Sequence, residues 1–396
     1  MNDPDVARRW PEQTLTGWAD TRDTLHLWAQ VVGKIRLALE PMVNHWWRVP
    51  LYVSDRGLTT SLMHAGRLGL EIGFDFSEHV LRIDTTGGTH RRVVLEPRLV
   101  AIFYRDVMAA VEDLGVHVTV LARPVGLARA IPFLDDYEHC SYDPEAARRF
   151  WTALVRADRL LRLFRAGFVG KASPGHFFWG SFDLATSRFS GRPAPRHPGG
   201  VPNCPDRVQQ LAYSHELSSC GYWPGGSTEG SFYASAYPTP GSFADWPVEP
   251  RAYFGGALGE FILPYPCRRS RNSRGGRSRN SRPGPGCHGA VDHLLSSTVR
   301  IGGVPVRRAT RCPVEIALGV GSDASASLPE CAPAAAGDGV KPRRARSGAR
   351  WARRAQRADG TAVAHRGGAS QRGLDTVGGS GTVHPSSLCP GRRLGR

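Results

Sequence analysis

The sequence predicts an α+β body, with antiparallel sheets and a few packed amphipathic helices, followed by a C-terminal tail that stays disordered. Three observations carry this. Strand patterns come in runs instead of alternating with helices, helical periodicity is confined to a few segments, and aromatic residues stop abruptly two thirds of the way along. The chain has 396 residues and a formal net charge of +16. Cut after Pro266, it separates into a body with 27 Lys+Arg against 28 Asp+Glu and a remainder with 24 against 7. Of 35 Phe, Tyr and Trp residues, only Trp351 lies in that remainder. A segment so rich in Arg, Gly, Pro, Ser and Ala cannot bury a core. The expected organisation is one folded domain over residues 1–266 and a tail over 267–396.

The first element is a helix over Thr21–Leu39, where Leu25, Trp28, Val32, Ile35 and Leu39 recur at helical spacing and Pro41 ends the run. Arg48–Ser54 and Leu58–Leu62 read as a hairpin around Asp55-Arg56-Gly57, with Gly57 at positive φ. Alternation at Ile72, Phe74 and Phe76, then at Val80–Asp84 and Arg91–Leu95, extends it into a meander. A second helix is expected over Leu99–Leu114, and a short strand through Val116, Val118 and Val120. The third helix has the strongest signal: Asp143 as N-cap, Pro144 at its first position, and an apolar stripe from Phe150 to Phe164. Strands return at His176–Phe189, Leu211–Glu216, Phe232–Tyr237 and Phe261–Leu263, between Gly- and Pro-rich linkers.

The N-terminus lacks the apolar core of a secretory signal, and no apolar run reaches the length of a membrane span. Cys140, Cys204 and Cys220 are the body's cysteines and form no disulfide framework. A cytoplasmic protein with reduced thiols and no membrane partner is therefore expected. Lysine occurs only at 34, 171 and 341, with Arg used elsewhere.

Several standard motifs are absent. Gly167–Ala172 has nearly the spacing of a phosphate loop, but its first Gly is one position too close and Ser/Thr does not follow Lys171, so a helix C-cap is expected. His215-Glu216 lacks the second His of a zinc-protease helix. What remains are aromatic, His-bearing segments: Asn44–Arg48, His176–Asp183, and Tyr213–Glu216 leading to Tyr222-Trp223. Rings supply contact area and polar groups set orientation, so His45, Trp46, Trp47, Arg48, His176, Trp179, His215 and Trp223 are the candidate ligand-binding residues. The rival is a hydrolase-type enzyme using His176, Asp183, His215 and Glu216. Those residue types also suit a metal, but His176 and Asp183 are an odd number of positions apart and would face opposite sides of one regular strand. No metal ligands and no cofactor are assigned. Cys140 is a weaker nucleophile candidate.

The motifs NHWWRVPL (Asn44–Leu51), SPGHFFWGSFDLATSRFSGR (Ser173–Arg192), YSHELSSCGYWPGG (Tyr213–Gly226) and LGEFILPY (Leu258–Tyr265) resemble a bacterial domain-of-unknown-function family over about residues 10–266. The resemblance implies a soluble bacterial protein and carries no activity or catalytic residues with it. Members continue after the LPY motif into an acidic, helical end, whereas Pro266-Cys267-Arg268 opens a different composition. Arg269–Gly276 is nearly repeated at Arg277–Gly284, which would suit nucleic-acid binding by charge and stacking. The composition instead matches GC-rich DNA translated out of frame, and a frameshift near codons 265–268 is expected, which the nucleotide sequence of the gene would decide. Nucleic acid is accordingly disfavoured as a partner unless the tail is a genuine product. A small molecule bound in an aromatic, His-lined pocket is the expected partner.

Overall fold

The computed structural model describes residues 11, 15–225, 230–248 and 252–264. The segment 267–396, and with it the expected disorder of the tail, lies outside the described residues. The architecture is α+β, with two six-stranded antiparallel sheets and four α-helices among the described residues.

The first sheet holds β1 (Tyr52–Val53), β2 (Gly57–Thr59), β3 (Met63–Ala65), β4 (Leu68–Asp75), β5 (Val80–Thr85) and β6 (His90–Val94). Its spatial order is β1-β2-β4-β5-β6, with β3 also on β4. The expected hairpin is present, Tyr52 facing Thr59 and Val53 facing Leu58. Gly57 does not have positive φ. It is required for a different reason: a Cβ there would come within 2.1 Å of the Phe74 carbonyl oxygen. Leu70, Ile72, Phe74, Leu81 and Ile83 are all buried and form the inner face.

Two helices cover that face. α1 (Ala19–Leu39) and α2 (Val100–Asp113) follow the predicted spans closely. Trp28 of α1 stacks on Phe103 of α2 at 4.5 Å between ring centroids. Val116, Val118 and Val120 do not form a strand. Val116 is buried and its neighbours alternate inward as the pattern requires, but the segment packs on the core without a hydrogen-bonded ladder. Alternation reports which side chains face the core, and a strand needs a free sheet edge as well.

α3 (Pro144–Ala166) joins the two halves of the core. Asp143 caps it by accepting from the backbone N–H groups of Glu145 (2.9 Å) and Ala146 (3.3 Å). Phe150 on its buried stripe touches Phe76 at the end of the first sheet and Phe177 in the second, at 6.2 and 6.1 Å.

The second sheet runs β11 (Tyr253–Gly255), β12 (Glu260–Pro264), β10 (Ser231–Tyr237), β9 (His215–Trp223), β8 (Asp183–Pro193), β7 (His176–Phe178). Two expectations change here. The predicted strand His176–Phe189 is a hairpin, β7 and β8, turned at Trp179–Phe182. The predicted strand Leu211–Glu216 is the end of a short helix, α4 (Asp206–Ala212), followed by the start of β9. β9 then runs on through Gly221-Tyr222-Trp223, beyond the end of the predicted strand. Leu51 pairs with Phe177 as an isolated bridge, N–H to carbonyl at 2.9 and 2.8 Å, and so links the two sheets. No helix among the described residues is long and apolar enough to cross a membrane.

Candidate functional site

Leu184, Thr186, Cys220, Tyr222, Phe232, Ala234, Phe261 and Leu263 form the buried face of the second sheet. The alternate positions make its other face, where half-exposed Ser187, Ser219, Tyr233 and Ser235 stand among buried Asp183, Ala185, Phe189 and Leu217. Ser187, Ser219 and Ser235 stand in register across three strands, with Ser187 Oγ 2.5 Å from Ser219 Oγ.

One end of this face is covered by the turn Asn44–Trp46. His45 and Trp46 adopt left-handed backbone conformations, φ 59° and 60°. For such bulky residues this costs roughly 1–3 kcal/mol each and persists only when the surroundings enforce it. Here His45 Nδ1 lies 3.0 Å from the Ala212 carbonyl and must donate to it. That leaves Nε2 as an acceptor for the Lys171 ammonium at 2.8 Å. The His45 ring lies 4.3 Å from Phe189, 5.5 Å from Trp47 and 5.6 Å from His215. Burial holds the His45 imidazole below its ordinary pKa, and the Lys171 charge adds to this. Lys171 Nζ sits 5.2 Å from the rings of both Trp47 and Phe189. Desolvation lowers its own pKa.

His176 continues the cluster. Its ring meets Trp47, Tyr52 and Phe178 edge-on at 5.6, 5.7 and 5.6 Å. Burial, reinforced by the charges of Arg36 and Arg165, pulls its pKa down to about 3, so it is neutral at physiological pH. The structure therefore brings together His45, Trp47, His176 and His215, from three distant stretches of chain. Trp46 adjoins them through the strained turn, with the Arg48 guanidinium 5.3 Å over its ring.

Trp179 and Trp223 are not part of this group. Trp179 is 5 % exposed, packs on Gly33 of α1 and donates from Nε1 to the Val49 carbonyl at 2.7 Å, so it supports the turn from behind. Trp223 lies at the opposite end of β9 from His215, about 26 Å away for eight strand steps. The hydrolase set is not assembled either. Asp183 accepts from Ser181 and Tyr233. Glu216 pairs with Arg192 at 2.5 Å and Ser190 at 2.9 Å on the surface. His215 is held by Ser214 at 3.0 Å. The parity argument against a common face also changes: with Phe178 opposite Asp183 and His176 opposite Ala185, the hairpin sets His176 and Asp183 on one face. Among the described residues, even so, no three His, Cys, Asp or Glu side chains are grouped to hold a metal. Cys204 and Cys220 are free thiols, and Cys140 is not among them, which removes it as a nucleophile.

A second polar group lies toward the other end of the same face. The Tyr233 ring crosses β9 above Gly221, where a Cβ would stand 2.3 Å from its Cζ, and so reaches Asp183 on β8. Burial raises Asp183, opposed by its two hydroxyl donors. Glu260 is pushed up to about 7 by burial and by the Asp183 charge. Tyr213, two residues before His215 and so at the first end of the face, packs between His197 and Tyr237 and is pushed up to about 12 by burial and then by Glu260 and Asp183.

Sequence reasoning missed Lys171, Arg36, Tyr52, Tyr233 and Glu260. Lys171 alone had a usable signal, as a rare lysine in a chain that otherwise uses arginine. Gly167 is the α3 C-cap as expected, and the four residues after it carry Lys171 into the cluster. A cavity of about 380 Å³ lies elsewhere, near the start of α1, lined in part by Trp18, Thr21, Ser141, Tyr142 and Asp143. Two of its polar side chains are already used: Thr21 Oγ1 accepts from the Asp143 N–H at 3.0 Å, and Asp143 caps α3. Of the candidate residues, Cys140 lines it and the ligand-binding and hydrolase sets do not.

No characterised protein and no solved structure matches the chain. A family model does match, over residues 10–275, which includes all four quoted motifs and extends nine residues past Pro266. The chain belongs to the family of unknown function DUF5996.

Proposed function

We propose that His45, Trp47, Tyr52, Lys171, His176 and His215 bound a cleft in which the protein binds a small organic ligand. The supporting observation is the convergence of rings and basic groups at a turn whose backbone is held in a strained conformation. Strain of this kind collects where a site needs fixed geometry. The walls are aromatic, which suits an apolar body, and the polar atoms are few, which suits one oriented headgroup.

The test is thermal denaturation of the protein against a panel of small organic compounds. A ligand at a hundred times its dissociation constant adds about 2.7 kcal/mol, a rise in Tm of roughly 8 °C for a domain of this size. Trp47→Ala is expected to abolish that rise. A stabilising compound unaffected by Trp47→Ala binds elsewhere and removes the cleft from consideration.

One observation favours a second, catalytic role: Glu260 is poised near neutrality by burial and by the Asp183 charge, with Ser235 as its hydrogen-bond donor. A carboxyl with its pKa moved toward neutrality is what acid–base chemistry uses. An NMR titration in which Glu260 ionises like an ordinary surface carboxylate would end that reading.

A further inference from the structure

We propose that the cleft holds an oxyanion of its ligand, a carboxylate or a phosphate group carried on an apolar body, against Arg36, Trp46, Arg48 and His176. This rests on the small-ligand role above and specifies its chemical class.

Four buried side-chain nitrogens here have no hydrogen-bond partner: Nε of Arg36, Nε1 of Trp46, Nε of Arg48 and Nδ1 of His176. Arg36 and His176 are 4 % and 2 % exposed. The first three nitrogens carry hydrogens that can only be donated, and neutral His176 donates from Nδ1 in one tautomer. A buried donor without an acceptor costs about 1–3 kcal/mol, so several in one neighbourhood mark an acceptor that belongs there. Ring contacts connect them. The Arg36 guanidinium lies 5.3 Å over Tyr52, Tyr52 lies 5.7 Å from His176, and His176 lies 5.6 Å from Trp47, next to the Trp46–Arg48 pair.

Water could satisfy single donors, but it cannot balance charge. Arg36, Arg48 and Lys171 are all cationic. Glu40 is the carboxylate that meets them among the described residues, 4.0 Å from Arg36 Nη2, and its backbone carbonyl takes Arg48 Nη1 at 3.1 Å. Among the described residues the remaining positive charge meets neutral acceptors and no further carboxylate, and the field of Arg36 and Arg165 already disfavours a proton on His176. An ammonium ligand would add to that imbalance, whereas a carboxylate or phosphate removes it and accepts from the orphaned N–H groups together. Trp47, Tyr52 and Phe178 then face the apolar body. Orphaned nitrogens of Arg188 have a separate explanation: that side chain lies over Phe164 at 3.5 Å, at the C-terminal end of α3, where the helix dipole favours a cation.

The experiment is calorimetric titration of the full chain with benzoate and phenyl phosphate, using benzyl alcohol and benzylamine as neutral and cationic controls. Saturable binding of an oxyanion probe, absent for benzylamine, is the expected result. Arg36→Met and Arg48→Met should each weaken it roughly 10- to 100-fold. Arg48 is half-buried and is the informative variant if Arg36→Met, which also loses a bond to the Thr60 carbonyl, fails to fold. Preference for benzoate assigns a carboxylate, and preference for phenyl phosphate assigns a phosphate. Oxyanion binding untouched by both substitutions would belong to the basic segment after Pro266 and would overturn the proposal. Benzyl alcohol binding as tightly as benzoate would overturn the oxyanion while leaving the cleft. No saturable binding by any probe up to about 10 mM would overturn both.

Discussion

Replacing His176 with phenylalanine is expected to make the protein more resistant to acid. His176 is held neutral, with its pKa depressed from 6.5 to about 3 by burial and by the charges of Arg36 and Arg165. The unfolded chain binds a proton at this position below pH 6.5 and the folded chain does not. The stability tied to neutral His176 is therefore present above pH 6.5 and drains away as pH falls toward 3. By pH 4.5 the loss amounts to about 3 kcal/mol. His26, brought down to about 4 chiefly by burial, acts in the same direction, and its contribution drains away as pH falls toward 4. Glu260 opposes them. Its raised pKa gives stability that is complete below pH 4.5 and lost as pH rises through about 7. Because these effects overlap between pH 4.5 and 6.5, the pH profile of the unaltered protein cannot separate them and the variant can. A phenyl ring fits among Trp47, Tyr52 and Phe178 without a titratable group. The difference in Tm between the two proteins should move in favour of His176→Phe by roughly 8 °C between pH 7.5 and 4.5. A difference that stays constant with pH would mean that His176 binds its proton as readily in the folded chain as in the unfolded one.

The second large effect is expected at Gly33. This glycine lies inside α1, where alanine would ordinarily stabilise the helix by about 1 kcal/mol. A Cβ at Gly33 would stand 2.2 Å from Cδ1 and 2.3 Å from Nε1 of Trp179. The indole has no room to retreat, since it is buried and its N–H is bonded to the Val49 carbonyl at 2.7 Å. Gly33→Ala is therefore expected to destabilise by about 3 kcal/mol net, a fall in Tm of roughly 8 °C, despite the better helix propensity. The same displacement would disturb the backbone at Val49, next to Arg48 and the strained turn. Thermal denaturation followed by tryptophan fluorescence measures this, and an unchanged or raised Tm would show that the contact relaxes without cost.

How the two ends of the second sheet relate follows from chemistry on one surface. Serines in register run from β8, which carries Phe189 beside the basic, aromatic cluster of Lys171 and His45, to Ser235 on β10, which hydrogen-bonds Glu260 on β12. A ligand with an oxyanion at the first end would direct its remaining polar groups along the serine row toward the second. The ligand-binding and acid–base roles differ in which end does the work.

Sequence by itself determined the three long helices and most of the strands of this protein. α1, α2 and α3 are local objects: their apolar positions recur at 3.6 residues, and Asp143-Pro144 marks a start without outside help. The first meander was equally legible, because each strand pairs with a sequence neighbour. Long-range pairing was not legible. Val116–Val120 has a strand's alternation and no edge to join, and Leu211–Ala212 reads as strand yet ends a helix.

The candidate residues divide in the same way. Ring and imidazole types at 44–48, 176 and 215 were visible as chemistry. Which of them share a space was decided by tertiary structure alone, through the hairpin at Trp179–Phe182, the bridge from Leu51 to Phe177, and two left-handed residues that no spacing rule anticipates. Trp179 and Trp223 have the same chemistry and the wrong addresses, one behind the turn and one at the far end of β9. Arg36 lies inside a predicted helix, where periodicity says only that it is off the apolar stripe. Its role depends on an unpaired guanidinium nitrogen, which is a property of neighbours and burial and so cannot be read along a chain.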